Sequence, residues 1–278
     1  MVYIFAVRRL KYALLLIVPA IIFLFFYHPF VIPHLSSSET FSDFSAMTFN
    51  VRFGNQDYDA VVNIILTYQP DLVALQEVQP EMMDALQNRL EEVYPYSQMG
   101  LVNQYGTTAV FSRYSFSESY ILDLEVDRPA VVVKIEINGN DVAFISAHLQ
   151  AYGLWWVDWK DIPSVANERT KAQNRQAQIL IEEVEKQDGI VILGCDCNSK
   201  EASSSYRMLA NVMQNTARQI GWQLKRSNIV NAKQDVNLQH IDYIFFHGEV
   251  KPVNIAAIRN NGGSDHLPVL AEFHFNQD

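Results

Sequence analysis

Short apolar runs recur along this chain, and several of them end on a single polar residue. Ser45 to Phe53 alternates apolar and polar side chains, the two-residue period of a strand with one buried face. Leu72 to Leu75, Thr108 to Phe111, Ala130 to Ile137, Val142 to Ser146, Ile190 to Leu193, Ile241 to Phe246 and Leu267 to Phe273 read as further strands. Asn138-Gly139-Asn140 is a hairpin turn signal between two of them. Helical spacing marks Asp57 to Tyr68, with Val61, Ile64, Ile65 and Tyr68 on one face and Pro70 just beyond. Glu81 to Val93, Asn167 to Lys186 and most of Ala202 to Ile220 are the other predicted helices. The longest turns Ala177, Leu180, Ile181 and Val184 inward. This irregular alternation predicts an α/β domain with a mixed sheet and helices outside.

The first 35 residues follow a different pattern. Arg8, Arg9 and Lys11 precede a charge-free run from Tyr12 to Tyr27, which Phe30-Val31-Ile32 extends past His28 and Pro29. About 20 apolar residues span a bilayer core, so Tyr12 to Ile32 is long enough for one N-terminal transmembrane helix. A cleaved signal is the other reading, but the small residues Ser36-Ser37-Ser38 cluster well past the apolar core. The basic residues in front favour a cytoplasmic N-terminus and a domain outside the membrane. The expected organisation is a membrane anchor or signal over residues 1–35, a Ser-rich linker over 36–44, and one domain over 45–278.

Charge narrows the partners. The chain carries 21 Lys and Arg against 31 Asp and Glu. Three of the basic residues lie before the apolar run, which leaves 18 against 31, or −13, for the remainder. That is a poor surface for gripping a long polyanion, so nucleic acid is possible but disfavoured. Cys195 and Cys197 share a strand face opposite Asp196 and Asn198. With two cysteines in all, no soft-metal site is complete. They read as buried small apolar side chains, because a bridge between them would close a strained ring.

The polar residues at the strand ends carry the chemistry. Glu77 closes Leu72-Val73-Ala74-Leu75-Gln76, a position that suits a ligand of Mg²⁺ or Mn²⁺. Asn50, on the preceding strand, can offer an oxygen to a metal or an NH₂ to an anion. Asp196 and Asn198 stand two apart and so face one way. Asp265-His266 sits in Gly262-Gly263-Ser264-Asp265-His266-Leu267-Pro268. Neighbouring residues rarely pair, so His266 is expected to take another carboxylate, with Asp242 a candidate and Asp265 nearer the metal. His148 follows Ile145-Ser146-Ala147. Arg175 lies on the longest predicted helix and is a candidate substrate contact. Trp155, Trp156 and Trp159 crowd the loop after His148, where they could meet a membrane interface or stack on a base.

In order and wording, these segments resemble the endonuclease/exonuclease/phosphatase superfamily, from about Ser45 to Phe275. The resemblance implies a four-layer α/β/β/α sandwich of the DNase I-like type. It implies that Asp196 and Asn198 orient a nucleophile and that His148 bonds the scissile phosphate. The expected reaction is metal-assisted hydrolysis of a phosphodiester by water, with Asp242 and His266 completing the catalytic group. An extracytoplasmic or membrane-lipid substrate is favoured. A surface nuclease is the alternative, and a catalytically inactive tethered binding module is the alternative of another class.

Overall fold

The computed structural model describes residues 14–24, 41–101, 107–220, 228–231 and 236–276. Strands β1 (Phe44–Asn50), β2 (Leu72–Gln76), β3 (Tyr96–Gly100), β4 (Thr108–Ser112), β13 (Val250–Ala257) and β14 (Val269–Phe275) form one sheet, in the order β13-β14-β1-β2-β4-β3. Strands β5 (Phe116–Asp123), β6 (Pro129–Ile137), β7 (Asn140–His148), β8 (Ile190–Asp196), β9 (Gln214–Asn215) and β12 (Asp242–His247) form the other, ordered β5-β6-β7-β8-β12-β9. Both are mixed: β1–β2 and β7–β8 pair parallel, and β1–β14 and β6–β7 pair antiparallel. Strands β10 (Asn228–Asn231) and β11 (Val236–Gln239) pair with each other.

The two-residue period sorts each strand between two cores. Ala46, Leu72, Ala74, Val133, Phe144 and Ile192 face the space between the sheets. Met47, Phe49, Val73 and Leu75 face outward, against Val61, Ile65 and Leu86 of helices α2 (Tyr58–Tyr68) and α3 (Pro80–Leu90). On the other sheet Ile145, Val191 and Leu193 face Ala177, Leu180 and Leu209 of α4 (Ile162–Val184) and α5 (Ser204–Val212). The result is four layers, helix, sheet, sheet, helix.

The same period makes one end of the inter-sheet core polar. Continuing the inner positions along each strand reaches Thr48 and Asn50, Gln76, Ser146 and His148, Asp196, and Asp242, all buried. Gln76 Nε2 donates to Thr48 Oγ1 at 3.1 Å and across the seam to Ser146 Oγ at 3.3 Å. Ser146 Oγ donates to the Leu75 carbonyl at 3.1 Å. Gly194 permits this approach, since a Cβ there would stand 2.8 Å from that of Ala74 and 3.1 Å from that of Thr48.

Several boundaries differ from those read in sequence. Strand β1 stops at Asn50, because Arg52 takes a left-handed φ of 68° and turns the chain. Helix α4 starts at Ile162, with Pro163 in its first turn. The predicted helix over 202–220 is broken, since Asn215 leaves it to pair with Phe245 before α6 (Thr216–Ile220). Strands β5 and β13 were not predicted; both lie at sheet edges, where exposure blurs the alternation. Cys195 and Cys197 are buried as expected, but their sulfurs are bonded to each other. Their Cα atoms lie 5.2 Å apart, within ordinary disulfide reach. Helix α1 (residues 14–24) exposes Leu14, Leu15, Leu16 and Phe23. Among the described residues no helix is long and apolar enough to cross a membrane, and the remainder of the Tyr12–Ile32 run lies outside them.

Candidate active site

The polar end of the seam draws groups from both sheets. Asn50 Nδ2 donates to Glu77 Oε1 at 3.0 Å in its own sheet and to Asp196 Oδ2 at 2.8 Å in the other. Its Oδ1 accepts the Arg52 amide at 2.9 Å, so the donor end of Asn50 faces the carboxylates. Glu77 leaves β2 in a left-handed conformation, φ 61°, which turns it toward the seam. Its Oε2 accepts the Phe53 amide at 2.6 Å.

On the second sheet, His148 and Asp196 are register partners, as are Asp196 and Asp242. His148 Nε2 lies 3.5 Å from Asp196 Oδ2 and 3.7 Å from Glu77 Oε1. His266 Nδ1 meets Asp242 Oδ1 and Oδ2 at 2.9 and 3.0 Å, and its Nε2 points to Asp196 Oδ2 at 3.8 Å. The loop carrying His266 is pinned by Ser264, whose Oγ donates to the Asn50 carbonyl at 2.7 Å and accepts the His266 amide at 3.0 Å. Gly262 and Gly263 before it take φ of 54° and 81°, which glycine reaches without strain. Asn198 turns out of β8 with φ 47°; its Nδ2 donates to the Leu149 carbonyl at 3.0 Å and its N–H to Asp196 Oδ1 at 3.0 Å.

Arg128 completes the cluster and was not read from the sequence. Its Nη1 lies 2.7 and 2.9 Å from the two ring nitrogens of His148. A signal for it existed. The Asn138-Gly139 turn sets the β6–β7 register, in which Val131 opposes Ser146. Two steps further, Pro129, the first residue of β6, opposes His148, and Arg128 is its neighbour in sequence.

Other expected residues stand apart. Asp265 is exposed, though close enough for its charge to act on His266. Arg175 is exposed and pairs with Glu125 at 3.0 Å, outside the cluster. Trp156 and Trp159 project into solvent, 94% and 74% exposed, on a loop tied to α4 by the Tyr152–Thr170 hydroxyl pair at 2.9 Å. The Trp155 side chain lies outside the described set.

The charges separate by environment. Burial pushes Asp196 up to about 7, helped by Asp242 and opposed by His266 and the Asn50 amide. Burial drives His148 well below 6.5, and the Arg128 charge adds to it, so this imidazole is neutral. Burial also acts against the charged form of His266, but the Asp242 and Asp196 carboxylates outweigh it and lift the group to about 10. Two side-chain groups are close enough to share one ion: Glu77, His148 and Asp196, and Asp196, Asp242 and His266. Glu77 is the most accessible of these carboxylates, and among the described residues each of its oxygens accepts a single hydrogen bond. This oxygen-rich set fits a hard divalent cation such as Mg²⁺ or Mn²⁺.

Residues 47–266 match the model of the Endonuclease/Exonuclease/phosphatase family, far more than half of the chain. No curated protein matches it by sequence. Among solved structures, D. rerio TDP2 complexed with a single-strand DNA product is similar, with TM-score 0.68 and 19% identity over 83% of this chain and 98% of that one. An endonuclease/exonuclease/phosphatase family protein from Bacteroides thetaiotaomicron gives TM-score 0.67 and 16% identity, covering 84% of this chain and 98% of its own. The mannosyl-6-phosphatase Bt3783 of the same organism gives 0.65 and 16%, covering 84% and 100%. At these identities the structural likeness speaks to the fold alone.

The Asp242–His266 pair yields a direct expectation. Its stabilisation is fully present below the unfolded value of 6.5 and is lost as pH rises through about 10. In the metal-free protein, Asp242→Asn should move the His266 titration, followed by NMR, down from about 10 toward or below 6.5. An unmoved titration would show that Asp242 does not hold the proton.

Proposed function

The chain belongs to the endonuclease/exonuclease/phosphatase family, and from that premise we propose that it is a metal-dependent phosphoesterase acting on a phosphodiester. The observation that carries this reading is the convergence of Glu77, Asn50, Arg128, His148, Asp196, Asp242 and His266 at one end of the inter-sheet seam. Glu77 would hold the Mg²⁺ or Mn²⁺, with water completing the shell; the exposed Asp265, expected near the metal, stands apart from the groups close enough to share an ion. A bound ion supplies Lewis-acid charge for the phosphoryl and leaving oxygens. The chain's own groups do the rest. Asp196, whose burial raises its proton affinity, accepts a proton from the attacking water. The Nδ2 of Asn198 is committed to the Leu149 carbonyl, so Oδ1 is the end left to orient that water. His266, held as a cation by Asp242, and Arg128 beside neutral His148 place positive charge where the phosphoryl oxygens gain negative charge.

The favoured substrate is a lipid or another extracytoplasmic phosphodiester. The exposed Trp156 and Trp159 support this, as does the acidic balance, which disfavours long nucleic acid. The apolar run near the N-terminus supports a single-pass tether with the domain outside. Protease added to intact cells should then reach the domain; protection until lysis would reverse this topology.

A panel of phosphoesters tests the reaction: a chromogenic bis-ester and mono-ester, DNA, RNA, sphingomyelin and phosphoinositides. Chelation should abolish hydrolysis, and Mg²⁺ or Mn²⁺ should restore it. Asp196→Asn and His266→Ala should each lower kcat by about 100-fold or more while the fold persists. Full activity of metal-stripped protein, or wild-type turnover in either variant, would contradict the mechanism.

Changing Trp156 and Trp159 together to Ala separates the substrates. Hydrolysis of vesicle-borne phospholipid should fall far more than that of a soluble bis-ester. A loss confined to single-stranded nucleic acid, at about 1–3 kcal/mol per stacked base, would favour a nuclease instead.

A further inference from the structure

Two glutamines occupy the buried face of α4 where apolar residues would ordinarily stand. Gln173 and Gln176 are fully buried, in the stripe that continues through Ala177, Leu180 and Val184. Gln173 Nε2 donates to the Gln150 carbonyl at 2.6 Å and to the Asn198 carbonyl at 3.1 Å. Its Oε1 accepts Ser205 Oγ at 3.3 Å, which sets the direction of the amide. Gln176 Oε1 accepts the Gln150 N–H at 2.8 Å. Beyond the ends of β7 and β8, helix side chains thus satisfy the Gln150 and Asn198 backbone. The two segments are also stitched to each other: Leu149 N–H donates to the Asp196 carbonyl at 2.9 Å and Asn198 Nδ2 to the Leu149 carbonyl at 3.0 Å.

We propose that Gln173 is a positioning residue for the hydrolytic reaction: its amide ties the segment after His148 to the segment after Asp196 and so fixes the orientation of the Asn198 side chain. The inference rests on the phosphoesterase reading above. Gln173 touches neither the carboxylates nor the histidines, so it acts through Asn198. The left-handed backbone of Asn198 depends on its surroundings to persist. A buried carbonyl left without a donor costs about 1–3 kcal/mol, so losing the clamp invites both segments to shift toward water. A displacement of about 1 Å at a group that aligns the nucleophile costs on the order of 100-fold in rate.

The test uses the full-length protein in detergent micelles with Mg²⁺ and bis(p-nitrophenyl) phosphate. Gln173→Met keeps the shape of the side chain and removes its donors. Gln173→Ser shortens the side chain so that it reaches neither carbonyl while keeping a polar group at the site. In both, kcat should fall by about tenfold or more with KM within about twofold, at a temperature well below each variant's melting point. Wild-type kcat in either folded variant, with only a lower melting temperature, would make Gln173 a packing residue and overturn the inference. If Gln173→Met does not fold, Gln173→Ser decides by the same criterion. An inactive wild type on every ester of the panel would instead overturn the phosphoesterase reading, and this inference with it.

Discussion

The site depends on one junction between the sheets: a single side-chain amide, that of Asn50, donates to Glu77 on its own sheet and to Asp196 on the other. This junction exists because the strand period holds without interruption. Inner positions that are apolar in the middle of β1, β2, β7, β8 and β12 become Asn50, Gln76, His148, Asp196 and Asp242 at one end. A one-residue slip of β8 would turn Asp196 into the helix-side core and bring a cysteine to the seam. The Gln76–Ser146 hydrogen bond and the close approach at Gly194 hold the sheets at the spacing that lets Asn50 reach across. Correct packing of the inter-sheet core and assembly of the site are therefore one event.

Three carboxylates converge at the seam, Asp196 and Asp242 fully buried and Glu77 partly exposed, and an unpaired buried charge costs several kcal/mol. The fold compensates with Arg128, protonated His266 and the Asn50 amide. The compensation is partial, which is why Asp196 remains pushed up to about 7. Sites that work on charged substrates keep such imbalance, because a cation and a polarised transition state complete it. The two histidines divide the labour by neighbourhood: carboxylates hold one charged, while burial, reinforced by a guanidinium, keeps the other neutral.

Much of this was legible because the chemistry sits at the ends of apolar runs. Glu77, His148, Asp196 and Asp242 each announce themselves as a polar residue closing or opening a strand. Arg128 does not, since it stands in a turn before a strand, and only the folded turn brings its guanidinium to His148. Gln173 and Gln176 were hidden inside a helical stripe, where a polar residue reads as a flaw in periodicity until its partners are seen. The edge strands β5 and β13 were lost because exposed edges carry mixed residues. The sequence offered Asp242 as a candidate partner for His266, and only the fold, bringing together residues 24 apart, settles which histidine it orients.

The central claim is that solvent water attacks phosphorus at this seam. Hydrolysis of bis(p-nitrophenyl) phosphate in water enriched in heavy oxygen, with Mg²⁺ present, tests it most directly by mass spectrometry of both products. One heavy oxygen is expected in the nitrophenyl phosphate and none in the nitrophenol. Label in the nitrophenol, or unlabelled phosphate product, would contradict it.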